Sequence, residues 1–199
     1  MSDGYWTEER RMMQQTAREF TANEVLPVAN ALDPEKGLIP RELIEKMGEM
    51  GYFGITIPEQ KGGLGLGAFE FCLIAEELAR GWMSVASIIA RGNGFWRSIP
   101  GFGPERDEKI ARMAVGDYLG AFAMSEPNAG SDMASVSCRA TRDGDDWIIN
   151  GNNKYWCTFA DGADFISVIC RLETDSESRQ AGMKSIAVEK PRGEFPAGV

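Results

Sequence analysis

The spacing of apolar residues changes character once along this chain, near Gly116, and that change constrains the fold more than any other feature. Before it, apolar side chains return about every 3.6 residues, the period of an amphipathic helix; after it they alternate, the period of a strand. Thr7 is placed to cap a helix that opens on Glu8 and Glu9 and carries Met13, Ala17 and Phe20 on one face. Pro40 suits the first turn of a second helix, with Leu43, Met47 and Met50 facing one way and Gly51 ending it. A third helix is expected over 68–80, with the stripe Phe71, Ile74, Ala75 and Leu78 and a stop at Gly81. A fourth covers 84–90 and can run on past Gly92 and Gly94, and a fifth lies between Pro104 and Gly116 with Ile110 and Met113 inward.

Beyond Gly116, strands are expected over 118–124, 135–141, 147–149, 165–172 and 184–190. Asp143-Gly144 and Asn150-Gly151 read as hairpin turns, because Gly and Asn accept the positive φ of tight turns. The polar stretch 174–180 reads as an exposed loop. The fold class expected is α+β: an N-terminal α-helical bundle domain over 1–117, followed by an antiparallel, β-barrel-like middle domain over 118–199. That second domain breaks off after a strand candidate at "EFPAGV", so it is expected to be incomplete at its C-terminus.

Composition removes whole classes of function. The chain holds no histidine, which excludes Ser-His-Asp and Cys-His nucleophiles and His-ligated metals. A formal charge of −9 supplies no basic field for nucleic acid or anionic lipid. No stretch approaches the ~20 apolar residues of a membrane span, and "MSDGYWTEERR" lacks the apolar core of a secretion signal. Cys72, Cys138, Cys157 and Cys170 form no C-x-x-C pair and read as reduced core thiols of a cytoplasmic protein.

Two segments carry chemistry. "AMSEPNAGSD", residues 123–132, places the Ser125 hydroxyl where a strand gives way to a turn, and its loop can present backbone N–H groups to an anion or a polar ring edge. "NNKYWCTFADGAD", residues 152–164, sets Trp156 and Thr158 on one face of an expected extended strand, an aromatic slab beside a hydroxyl. That pairing suits a flat heteroaromatic cofactor; by itself the segment fits a core Trp and a strand Thr at least as well.

Together the segments say more. "YLGAFAMSEPNAGSD", followed after a DG turn by "WIINGNNKYWCTFADGAD", resembles the paired signatures of the acyl-CoA dehydrogenase family. The resemblance extends upstream to "GYFGITIPEQKGGLGLG", "EELAR" and "GFGPERDEKIARMAVGD", in order along nearly the whole chain.

The resemblance implies FAD as cofactor and α,β-dehydrogenation of an acyl-CoA thioester. It implies that Ser125 gives a hydroxyl to the flavin's pyrimidine side, and that Phe122 and Met124 add backbone and packing contacts. Ser131 is expected to contact the CoA portion of the substrate and to end the cofactor stretch. Trp156 is expected against the flavin and Thr158 near N5, with Cys157 in place of the usual aliphatic residue. The family's base is a Glu of a C-terminal helical domain, expected beyond Val199, so no catalytic residue is named in this chain. Glu126, beside Pro127, suits a structural role in the turn. Arg91 and Arg97 lie where the acyl pocket is expected and could meet a polar acyl tail, although salt bridges explain them as simply. Electron-transfer flavoprotein is the expected acceptor, with an oligomer or a partner chain supplying the missing domain. A non-catalytic or split subunit, an acyl-CoA oxidase and a flavin monooxygenase of the same superfamily stay open.

Overall fold

A computed structural model describes residues 4–99, 101–151, 154–173, 178 and 180–195. The chain divides into two compact units, Met1–Tyr118 and Leu119–Val199.

The first unit is helical. α1 (Glu8–Phe20) is capped by Thr7, whose Oγ1 accepts from the Arg10 N–H at 3.2 Å. It runs without a break into a π turn (Thr21–Val25) and α2 (Leu26–Leu32), an extension that the apolar pattern does not announce. α3 (Arg41–Glu49) starts after Pro40 and ends before Gly51, whose φ of 72° stops it. α4 (Ala68–Gly81), α5 (Met83–Asn93) and α6 (Gly103–Ala114) follow, and α5 stops at Asn93 instead of passing Gly94. The core holds Met47, Phe53, Ile55, Leu78, Ile88, Ile89, Ile110 and Met113.

The buried face of α4 differs from the stripe expected. Phe71 and Ala75 are half-buried, whereas Glu70 and Glu77 are buried with Leu73, Ile74 and Leu78. The cause is ionic: Arg10 of α1 reaches Glu70 at 2.7 Å, and Arg18, two turns on, reaches Glu77 through both of its terminal donors at 2.8 and 3.2 Å. Cys72, on the opposite face of α4, is exposed, which corrects its reading as a core thiol. At the end of α5 the buried Asn93 side chain closes the unit. It donates to Tyr52 O and Ile89 O, each at 2.8 Å, and accepts from the Thr56 N–H at 2.8 Å.

The second unit is one five-stranded sheet: β1 (Gly120–Ala123), β2 (Arg139–Asp143), β3 (Asp146–Asn150), β4 (Phe165–Arg171) and β5 (Met183–Glu189). β2 and β3 form an antiparallel hairpin turning at Gly144, and β5 runs antiparallel along the whole of β4. The other edge of β4 is shared by β1, paired from Gly120↔Phe165 to Ala123↔Val168, and by β2 at Arg139↔Arg171, both parallel. The sheet is therefore mixed, where antiparallel strands were expected. β1 reaches β4 through a long excursion, and strands joined that way are free to run parallel. Asn150-Gly151 makes no second hairpin, because among the described residues the chain leaves β3 without entering another strand before β4. The expected loop 174–180 lies largely outside the described residues. No helix among the described residues is long and apolar enough to cross a membrane.

β1 separates two apolar layers. Ala121 and Ala123 are buried on one side with Ala163 and Ile166, and Phe122 and Met124 pack on the other against Val136, Cys138, Ala140, Ile169 and Cys170. Burial raises the Cys138 and Cys170 thiols above the ordinary range, so both are inert core groups.

Candidate functional site

The candidate residues gather where β1 ends. β1 delivers Phe122, then Met124 and Ser125, half-buried, before the chain folds back in a tight turn closed by Glu126 and Ala129, which exchange N–H···O bonds of 2.8 and 3.2 Å. The segment 154–160 lies alongside. The Tyr155 N–H donates to Ser125 O at 3.3 Å, and the Cys157 thiol donates to Phe122 O at 3.4 Å.

This second segment is not the extended strand expected. Trp156 has φ 62° and Phe159 φ 68°, the left-handed region, and the Thr158 N–H donates to Trp156 O at 2.9 Å, a tight local turn. For bulky residues such a conformation costs on the order of 1 kcal/mol or more each and persists only where surroundings fix it. Those surroundings are visible. Cys157 and Phe159 pack against the small residues Ala121, Ala123 and Ala163, which leave room for them. Trp156 and Thr158 point the other way: Thr158 is exposed, and Trp156 is 82% exposed. The expected shared face for the two thus holds on a different backbone, and Trp156 is no core residue.

Ser131 stands apart. It is exposed in the bend after the Glu126–Ala129 turn, and none of the bonds joining the two segments involves it. Of the two arginines named from the sequence, Arg97 lies over its neighbour Trp96, 4.2 Å from the ring centroid, and Arg91 is half-buried on α5.

Lys154 went unremarked in the sequence. Its ammonium donates to Met124 O at 2.9 Å and pairs with Glu126 Oε1 at 2.9 Å, with 9% and 4% of the two side chains exposed. Glu126 also accepts from the Ser137 N–H at 2.7 Å, the Ser137 hydroxyl and the Cys138 N–H at 2.9 Å. Burial alone would raise its pKa, but these donors outweigh that and hold it at about 2. The structural role expected of Glu126 is what this geometry provides, since so weak a base abstracts no proton. One acid in the first signature and one cation in the second, in otherwise uncharged stretches, is the signal by which the pair could have been found.

The chain can be compared with known proteins on this basis. The family descriptions "Acyl-CoA dehydrogenase, N-terminal domain" and "Acyl-CoA dehydrogenase, middle domain" match residues 7–116 and 121–198. Benzylmalonyl-CoA dehydrogenase of Aromatoleum aromaticum is 41% identical over 170 residues, covering 83% of this chain and 44% of that protein. The crystal structure of acyl-CoA dehydrogenase from Geobacillus kaustophilus superposes with a TM-score of 0.83 at 31% identity, over 94% of this chain and 49% of that one. A glutaryl-CoA dehydrogenase from Mycobacterium smegmatis, solved in complex with FADH2, superposes with a TM-score of 0.77 at 26% identity, over 95% and 54%. The chain spans about half the length of these relatives. With both family descriptions matched in order along it, the chain belongs to the acyl-CoA dehydrogenase family.

Proposed function

We propose that this chain supplies the helical unit and the cofactor-facing sheet of an FAD-dependent acyl-CoA dehydrogenase, acting on an acyl-CoA thioester. The observation that carries the reading is the pairing of the two segments: residues 122–125 and 155–158 are hydrogen-bonded side by side, with the Trp156 indole turned outward.

The residues present fit a flavin. An indole that is almost wholly exposed, although its left-handed backbone is held rigidly, is a flat apolar surface kept ready for a flat partner. Ser125 and Thr158 add hydroxyls for the polar edge of a ring, with Phe122, Met124 and Cys157 packed behind them; Ser131 is assigned to the CoA portion of the substrate. When bound, FAD supplies the two-electron acceptor for α,β-dehydrogenation. This chain's part is to seat and orient it. Glu126 is held ionised away from any proton transfer, so the base is proposed to come from a carboxylate outside these residues, on a C-terminal domain or a partner chain. Electron-transfer flavoprotein is the proposed acceptor and the cytoplasm the proposed compartment, the latter supported by four free cysteines.

The test is a protein carrying this chain within a length matching its relatives. Purified, it should hold FAD and bleach on anaerobic addition of an acyl-CoA, then pass electrons to electron-transfer flavoprotein faster than to oxygen. The 199-residue chain alone should give no bleaching. A full-length protein that retains no FAD defeats the reading.

A further inference from the structure

We propose that Lys154 is a positioning residue for the cofactor-facing surface, holding its two segments in register through Met124 and Glu126. The proposal rests on the flavin reading for what the surface meets, but not for how it is held.

The geometry is specific. Met124 and Glu126 flank Ser125, and a single ammonium grips both, donating to the carbonyl of one and pairing with the carboxylate of the other. Lys154 directly precedes Tyr155, whose N–H donates to the Ser125 carbonyl between them. Three consecutive residues of the first segment are therefore bonded to two consecutive residues of the second. The carboxylate cannot swing away, because Ser137 and Cys138 occupy its remaining acceptor positions. The approach of the Lys154 segment is fixed from behind as well. A Cβ on Gly151 would lie 2.4 Å from Cys138 Sγ, so the backbone there rests against the same stretch that holds Glu126.

The chemistry requires a cation. A buried carboxylate with this many donors stays ionised, and an ionised group so placed needs an opposite charge beside it. A neutral donor at 154 could satisfy Met124 O but would leave that charge unbalanced. Lys154 thus converts the buried charge of Glu126 into a directional hold on the Ser125 peptide. The left-handed Trp156, two residues on, inherits its placement from that hold. Second-layer groups of this kind commonly govern ligand affinity without touching the ligand.

The experiment compares amide hydrogen exchange in the wild-type chain, in Lys154→Met and in the double variant Glu126→Gln/Lys154→Met. The single variant leaves a bare buried carboxylate and can lose its fold; the double variant removes that charge and keeps the comparison open. In the double variant the Tyr155 amide should exchange on the order of tenfold faster or more, while the amides of Ile166 and Val188 in the β4·β5 ladder keep wild-type protection. Wild-type protection at Tyr155, or loosening of Tyr155 in step with Ile166 and Val188, overturns the proposal. FAD titration of the wild-type protein at its relatives' length decides the flavin reading separately, so failure of either is told apart.

Discussion

Asp164 and Leu119 hold each other twice: the Leu119 N–H donates to Asp164 Oδ2 at 2.8 Å, and the Asp164 N–H donates to Leu119 O at 2.7 Å. One residue later in each segment the parallel pairing of β1 and β4 begins, at Gly120↔Phe165. Arg192 adds a 2.8 Å bond to the same carboxylate oxygen. Asp164→Ala should therefore cost about 2–4 kcal/mol of unfolding free energy, since it strands a buried N–H and an arginine together. Urea denaturation followed by circular dichroism measures it; a loss below about 0.5 kcal/mol would mean that the register is set elsewhere.

Glu126 should make stability depend on pH in a defined window. Its folded value of about 2 lies below the ordinary 4.5, so the unfolded chain takes up its proton first as pH falls. The stabilisation is complete above about pH 4.5 and is lost as pH drops toward 2; by linkage it amounts to about 3 kcal/mol as an order of magnitude. Glu126→Gln should be much less stable than wild type at pH 6, and the gap should narrow by pH 3. A gap of equal size at both pH values would contradict the pairing.

Gly48, in the middle of α3, is a position where alanine would ordinarily stabilise by about 1 kcal/mol. Here a Cβ would stand 2.1 Å from the Val115 carbonyl oxygen, a contact that backbone cannot relieve cheaply. Gly48→Ala is expected to lower stability by about 1–3 kcal/mol. Thermal melts of the two proteins give the sign directly, and a higher melting temperature for the variant would show that the helix has room to move.

The helical half was open to sequence reading because its punctuation is local: Thr7 caps, Pro40 starts, and Gly51 and Gly81 stop, each acting on residues within one turn. The strands and the Gly144 turn were legible for the same reason. What escaped is long-range or conformational. Nothing within β1 tells it to pair in parallel with β4. Lys154 looks like an ordinary surface lysine until the fold brings Glu126 against it. Trp156 and Thr158 alternate with Cys157 and Phe159 as a strand would, and no residue type in "YWCTF" advertises a left-handed backbone. In the α1 region, Pro27 reads as a break, yet it sits in the first turn of α2, where a missing N–H costs nothing.

Trp156→Ala and Thr158→Ala should separate holding the cofactor from using it. Both side chains are exposed, so each variant should melt within about 2 °C of wild type, as surface changes do. In a protein of the relatives' length, Trp156→Ala should lose FAD on gel filtration. Thr158→Ala should keep FAD but slow single-turnover bleaching by up to about 100-fold, with a smaller change in acyl-CoA affinity. Wild-type bleaching in Thr158→Ala removes that hydroxyl from the proposed role.

The π turn between α1 and α2 has a bearing on ancestry. A π turn holds one residue more than the α-helical path it replaces, the mark left when a single residue is inserted into a helix whose two ends are already docked. Thr21 and Val25 are buried in it, and Gly81 of α4 gives way to them: a Cβ there would sit 2.5 Å from Thr21 Cγ2. The glycine that ends α4 therefore also makes room for the extra residue. A shortened gene lacking one codon within 21–25 would encode an unbroken α-helix from Glu8 to Leu32 whose flanking faces point as they do now, and Gly81 would then be free to drift toward larger residues.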